Sequence, residues 1–141
     1  MRTNNILLTI FFISIIFIGC ESIPEVQPLR YTKSNIENLT MYTRTLVEEE
    51  YMGINYDHTK RINVTVSTTV DTIAHKVMVV VVDTVNLKDL YSIATLSRGC
   101  VATPVDDSPK FGSMGDFSIP RKYLIKSLDG EPIEWTVTVS K

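Results

Sequence analysis

Residues 123–139 read Tyr-Leu-Ile-Lys-Ser-Leu-Asp-Gly-Glu-Pro-Ile-Glu-Trp-Thr-Val-Thr-Val, and this stretch decides the fold class. Apolar and polar residues alternate from Trp135 to Val139, and a period of two is typical of a strand with one buried face. The dipeptide Asp129-Gly130 separates this strand from an earlier apolar run that starts at Tyr123, an arrangement that predicts a β-hairpin. We therefore expect the last two strands to pair antiparallel, with Trp135 in the core.

Further strands are predicted upstream of this hairpin. Residues 77–82 read Val-Met-Val-Val-Val-Val, and such a β-branched run within residues 73–82 is typical of a strand in the middle of a sheet. Residues 62–67 alternate between apolar and polar side chains, which predicts a half-buried strand. Residues 92–97 form another short strand pattern, and the prolines and glycines of residues 103–116 predict a long loop.

Residues 35–56 are ambiguous between helix and strand. The apolar residues Ile36, Leu39, Tyr42 and Leu46 have roughly helical spacing, but residues 39–47 are rich in threonine and β-forming side chains. We favour a strand here. Six or seven short strands without a convincing amphipathic helix predict an all-β fold, an antiparallel β-sandwich over residues 35–141.

The N-terminal stretch predicts where the protein is located. Residues 6–20 carry no charge and follow a short polar start that contains Arg2, the pattern of a secretory signal peptide. Residues 6–18 are fewer than the roughly 20 apolar residues that span a bilayer. We therefore expect residues 1–19 to be a signal peptide and residues 20–34 to be a tether that precedes the folded domain.

The end of this stretch, Phe17-Ile18-Gly19-Cys20, resembles the lipobox of bacterial lipoproteins. Phe17 and Ile18 depart from the usual residues, whereas Gly19 and Cys20, which define the cleavage site, are in place. The resemblance implies a diacylglyceryl group on Cys20 and anchoring in a membrane through that lipid. The alternative is an uncleaved N-terminal anchor. Both readings place residues 21–141 outside the cytoplasm, and Glu21 favours the outer membrane or the cell surface.

Composition excludes some functions. The net charge is −2, and removal of Arg2 with the signal peptide leaves 13 cationic against 16 anionic residues, or −3. No cluster of lysine and arginine suggests a nucleic-acid partner. With Cys20 lipidated, Cys100 has no partner for a disulfide, and its small apolar context predicts a buried free thiol.

Residues 87–139 resemble a module of Bacteroidota surface lipoproteins, an Ig-like β-sandwich often known only as a domain of unknown function. The matching positions are Leu87, Leu90, Ser97, Gly99, Pro104, Asp116-Phe117, Pro120, Tyr123, Ile125, Asp129-Gly130 and residues 135–139. Ser92 stands where proline is usual and Cys100 where alanine is usual, and the loop from Val105 to Gly115 is about five residues longer. The resemblance implies an Ig-like sandwich in an exported lipoprotein, found beside glycan-binding or glycan-degrading parts, without a catalytic residue of its own.

No catalytic, cofactor or metal site is expected. His58 beside Asp57 lacks the further partners that a triad or metal site needs, and His75 is expected on an outward or edge position of a strand. Asp106-Asp107 lacks the ligand spacing of a calcium loop. The sequence favours a non-catalytic binding or accessory module for a glycan or a surface partner protein, and the alternative is a structural spacer or assembly subunit without a ligand.

The candidate ligand loop is Val105–Gly115, with Phe111, Asp106 and Asp107 as its candidate contact residues. Loops at the ends of a sandwich are the usual place for recognition because the sheets hold them rigidly. Tyr51, Tyr56 and Phe111 are the aromatic side chains that could stack on a sugar, if they are exposed rather than packed in the core.

Overall fold

The computed structural model describes residues 30–141, which form nine β-strands and no helix. The strands are β1 (Ile36–Tyr51), β2 (Ile54–Asn63), β3 (Thr65–Asp71), β4 (Lys76–Val81), β5 (Leu90–Leu96), β6 (Cys100–Pro104), β7 (Met114–Gly115), β8 (Arg121–Ser127) and β9 (Ile133–Ser140). They form one sheet in the order β2-β1-β5-β7 and another in the order β3-β4-β9-β8-β6.

One hydrophobic core lies between the two sheets. The first sheet contributes fully buried side chains from β1 and β5, and the second contributes them from β4, β8 and β9. The largest of these are Ile36, Leu39, Met41, Leu90, Tyr123, Ile125 and Trp135. Both sheets therefore bury one face against the other, and the predicted all-β sandwich is confirmed.

The C-terminal hairpin has the predicted form. β8 and β9 pair antiparallel, and Tyr123 lies opposite Trp135 in the register. Trp135, Val137 and Val139 are buried, whereas Thr138 between the last two is exposed. The alternation of apolar and polar residues in the sequence thus correctly predicts which face of β9 packs against the core.

Residues 30–34, at the described end of the predicted tether, attach to this hairpin. The indole Nε1 of Trp135 donates a hydrogen bond of 2.9 Å to the Ser34 carbonyl, and the Ser127 amide donates one of 3.1 Å to the Ser34 hydroxyl. The Asp129 amide donates to the Tyr31 carbonyl at 3.0 Å. The folded domain therefore extends upstream of residue 35.

The strand order matches an immunoglobulin-like sandwich. β6, β8 and β9 lie together as the C, F and G strands do, and β1, β5 and β7 occupy the positions of A, B and E. One pairing departs from the expected antiparallel arrangement, because β4 runs parallel to β9. β4 packs beside the last strand and buries Val77, Val79 and Val81.

The predicted single strand over residues 62–67 is wrong, because the chain changes sheets within it. β2 ends at Asn63, and β3 begins at Thr65 in the other sheet. The Asn63 side-chain oxygen accepts a hydrogen bond of 2.9 Å from the Thr65 amide, an Asx-type contact that interrupts the ladder. Val64 between them is buried, and its backbone bonds Met41 in the first sheet and Val82, the residue after β4 of the second, each at 3.0 Å.

Three further local predictions are corrected by the structure. His75 lies in the turn between β3 and β4 with φ of 54°, and its ring contacts Trp135 edge-on at a centroid distance of 5.3 Å. The predicted loop over residues 103–116 includes the end of β6 and the short β7. Cys100 is half-buried rather than buried, and its thiol lies 2.9 Å from the Lys33 carbonyl oxygen.

Candidate functional site

The loop between β6 and β7 is fastened to the core through Tyr123. The buried Tyr123 hydroxyl donates a hydrogen bond of 2.8 Å to the Pro109 carbonyl, and the Phe111 ring stacks on the Tyr123 ring at a centroid distance of 4.0 Å. Burial raises the pKa of the Tyr123 hydroxyl, so it remains a proton donor to the loop at all physiological pH values. Phe111 is half-buried by this packing and is not a freely displayed ring.

Arg121 at the start of β8 holds the loop from its other side. Its guanidinium is buried, donates to the carbonyls of Asp116 and Asp107, and lies 3.3 Å from the Asp116 carboxylate. Hydrogen bonds from the hydroxyl and amide of Ser118 lower the pKa of Asp116, and the nearby Arg121 charge acts in the same direction. The loop is therefore held in one conformation by a charged network beneath it.

A cleft of about 270 Å³ lies between the first residues of this loop and β8. Its lining includes Asp106, Asp107, Ser108, Thr136, Ile119 and Pro120. Asp106 and Asp107 are exposed, and Asp106 has a left-handed φ of 51°, which aspartate tolerates better than most residues. The structure thus places both predicted aspartates at one cleft, with Phe111 beyond it on the core side of the loop.

The cleft combines hydrogen-bonding groups with a small apolar surface. Lys122 lies at its rim, and its ammonium donates a hydrogen bond of 2.8 Å to Glu134, which raises the pKa of Lys122. That pairing occupies the Lys122 ammonium, and the charge of Asp106 also acts on Lys122, whereas the side chains of Asp106 and Asp107 are exposed. Ile119 is 56% exposed and provides an apolar wall together with Pro120. Such a cleft can accept hydrogen bonds from a ligand and contact its apolar face.

Sequence reasoning identified the aspartates but not the residues of β8 and β9 that complete the cleft. Arg121, Lys122 and Thr136 lie beside the loop because Lys122 pairs with Thr136, and Pro104 with Tyr123, in the strand register. This juxtaposition is set by tertiary pairing. The one feature of the sequence that could have indicated these residues is the Arg121-Lys122 pair at the start of a strand, directly after Pro120.

A second cluster that the sequence did not indicate lies on the outer face of the first sheet. The guanidinium carbons of Arg44 and Arg61 lie 5.7 and 4.8 Å from the centroid of the Tyr91 ring. Arg44 and Arg61 are register partners across β1 and β2. Two cations share one aromatic ring here, a contact of the cation–π type.

The other predicted positions do not converge on the cleft. His58 lies in β2, where its Nε2 is 3.6 Å from Glu49. The side chains of Tyr51 and Tyr56, and residues Gly19 and Cys20, lie outside what the structure describes. Among the described side chains, no three His, Cys, Asp or Glu residues are grouped in a way that could hold a metal ion. The part of the chain that the structure describes contains no helix of the length and apolarity needed to cross a membrane.

The family model for DUF5018-related proteins matches residues 27–138. No match was found among curated proteins. Among solved structures, the chain is similar to a candidate secreted protein from Bacteroides fragilis NCTC 9343, with a TM-score of 0.59 and 23% sequence identity. That alignment covers 75% of this chain and 93% of the other, and it shows a shared fold. Because the family match spans most of its length, this chain belongs to the DUF5018-related family.

Proposed function

We propose that this protein is an exported lipoprotein whose β-sandwich is a non-catalytic binding module, held at the outer membrane or cell surface by a lipid on Cys20. The uncharged stretch over residues 6–18 and the Gly19-Cys20 pair support export and lipidation. The similarity in fold to a candidate secreted Bacteroides protein agrees with export.

The observation that carries the binding role is the cleft between Asp106-Asp107 and β8. Its loop is anchored by Tyr123 and Arg121, so the binding groups are positioned before a ligand arrives. A preformed concave site with a few convergent polar groups is the usual form of a small-molecule or saccharide site.

The chemistry of the cleft favours a neutral glycan over an anionic one. The carboxylates of Asp106 and Asp107 accept hydrogen bonds from sugar hydroxyls, and Ile119 with Pro120 offers an apolar surface for the C–H face of a ring. An anionic glycan meets two exposed carboxylates at the opening, and we expect it to bind more weakly than a neutral one. A surface protein could instead present a hydroxyl-rich or cationic loop to the same residues.

The role assigned to the cleft is binding rather than catalysis. Asp106 and Asp107 are neighbours in the chain and both are exposed. A carboxylate pair that cleaves a glycosidic bond instead flanks the bond from opposite sides, with one pKa raised by a hydrophobic environment.

The test is an array of neutral and anionic glycans probed with the full chain and with the variant Asp106→Asn/Asp107→Asn. Asparagine keeps the size of each side chain and tolerates the left-handed φ at residue 106. We expect binding to neutral glycans that weakens at least about tenfold in the variant, or about 1.4 kcal/mol. Asp83→Asn, an exposed position away from the cleft, is the matched control and should bind as the unmodified chain does.

The second candidate function is a structural spacer or assembly subunit without a ligand. It is favoured by the shallow, open form of the cleft and by the absence of an exposed aromatic ring among its lining residues. Unchanged capture of every glycan by the Asp106→Asn/Asp107→Asn variant, or no capture at all, would support the spacer over the binding module.

A further inference from the structure

The most unusual element of the domain is a two-stranded arm that extends beyond the sandwich. It consists of Thr43–Tyr51 of β1 and Ile54–Ile62 of β2, joined by the turn at Met52-Gly53. β5 pairs with β1 only as far as Tyr42. No described side chain of the arm is buried, and Leu46, near its middle, is 76% exposed. A two-stranded ribbon of this kind is only marginally stable on its own in water.

One edge of this arm lacks a strand partner within residues 30–141. The Met41 carbonyl accepts from Val64 and its amide donates to Thr65, so the polar backbone groups of Met41 face the side of β2 and β3. Alternate residues of an antiparallel strand direct their N–H and C=O groups to opposite edges. Arg44, Leu46 and Glu48 therefore present theirs to the edge that β5 leaves free, which is a template for another strand.

The charges of the arm are divided along its length. Arg44 lies opposite Arg61 at the end near the sandwich, and Glu48 lies opposite Asp57 towards the turn. Like charges directly opposite in a sheet are destabilising. These two register pairs each place like charges opposite one another, and the order of charges along β1 is complementary to that of a second β1 running the other way.

We propose that two copies of this chain associate by pairing the free edges of β1 in antiparallel orientation, about a two-fold axis at Val47. Val47 is the midpoint of the free edge from Thr43 to Tyr51. In this register Val47 lies opposite the partner's Val47, and Arg44 lies opposite the partner's Glu50. The pairing also brings Thr45 opposite the partner's Glu49 and covers the unpaired backbone groups of both arms.

The neighbouring register, with its axis at Leu46, is excluded by β5. It places the partner's Glu50 opposite Tyr42, whose edge is already occupied by Tyr91. Charge complementarity favours a second copy as the partner of this edge, because each arm carries both the basic and the acidic residue of the proposed Arg44–Glu50 pair. The paired edge is short compared with a stable dimer interface, so the association is weak in solution. Confinement to one surface raises the effective concentration and favours it.

The experiment is disulfide trapping in the full chain with Cys100→Ser as background. Residues directly opposite in a non-hydrogen-bonded antiparallel pair have Cα atoms about 4.5 Å apart, which a disulfide can span. Val47→Cys is expected to give a covalent dimer on mild oxidation, at least about tenfold faster than Thr45→Cys, its matched control on the same face. Mixing Thr45→Cys with Glu49→Cys chains should restore trapping.

Charge exchange provides the second measurement. In the Val47→Cys background, Arg44→Glu should reduce trapping about tenfold, and Arg44→Glu/Glu50→Arg should restore it, because the exchanged pair is again complementary. Arg44 is exposed, and an unchanged thermal melt of each variant verifies folding. Equal trapping by Val47→Cys and Thr45→Cys, no rescue by charge exchange, or trapping of a different protein would overturn the proposal.

Discussion

Trp135 joins three parts of the chain in one buried position. Its ring is fully buried between the sheets, its indole Nε1 bonds the Ser34 carbonyl, and the His75 ring packs against it edge-on. The contact to Ser34 holds the N-terminal segment against the C-terminal hairpin across 101 residues of sequence. The side chain therefore closes the domain as well as filling its core.

Replacing this residue should strongly destabilise the fold. Trp135→Ala removes a large buried ring and leaves the Ser34 carbonyl without its donor, so we expect a loss of about 3–5 kcal/mol. That is a large part of the 5–15 kcal/mol typical of a domain. Urea denaturation measures it, with Leu128→Ala at a 73% exposed position as control, expected to stay within about 0.5 kcal/mol. A loss below about 1 kcal/mol for Trp135→Ala would contradict the central position of this residue.

Asp116 should make stability depend on pH. Its pKa is lowered in the folded state, mainly by the Ser118 hydrogen bonds, so the ionised form stabilises the fold above the unfolded pKa of about 3.9. This contribution disappears as the pH falls through the lowered folded pKa. Asp116→Asn should therefore be less stable than the unmodified chain at pH 7, and the difference should shrink near pH 2, measured by urea denaturation. A difference that is equal at both pH values would argue against the charge as its origin.

At the scale of elements, the loop before β7 is part of the core rather than a free insertion. Phe111 and Pro109 both contact Tyr123, and Gly115 lies so close to Pro109 that a side chain there would collide with its ring. The length of this loop was visible in the sequence. Its attachment was not, because an aromatic residue between Lys110 and Gly112 has the same local pattern whether its ring is exposed or packed against the core.

The arm should be separable from the sandwich. Thr45 and Lys60 are register partners, so residues 46–59 can be replaced by Asn-Gly to give a two-residue hairpin turn. No described side chain within residues 46–59 is buried, and we expect the melting temperature to change by less than about 4 °C. A fall of more than about 10 °C, or loss of a cooperative transition, would show that the arm contributes to the core. The same variant should no longer form the paired dimer.

At the scale of the whole molecule, the alternation of apolar and polar residues made the C-terminal half predictable. The remaining features depend on pairing between distant segments and could not be predicted from the sequence. Residues 123–139 predict their own hairpin because both strands bury alternate side chains. β2 was not predicted as a separate strand because its sequence is largely polar and none of its described side chains is buried. The change of sheet at Val64 was not predicted because apolar and polar residues continue to alternate through this position in the sequence. The parallel β4–β9 pair and the cleft beside Arg121 both depend on contacts between distant segments.

The family match over residues 27–138 identifies the folded domain, whereas the proposed attachment to a membrane depends on Cys20, upstream of it. Two or more acyl chains give stable anchoring, and one gives only reversible binding. A lipid on Cys20 therefore decides whether the cleft and the arm act at a surface or in solution.

Metabolic labelling with an alkyne analogue of palmitate, followed by detection of the purified chain, tests this anchoring most directly. The unmodified chain and Cys100→Ala should both carry the label, whereas Cys20→Ala should carry none. Equal labelling of Cys20→Ala and the unmodified chain, or no labelling of either, would contradict a lipid-anchored protein.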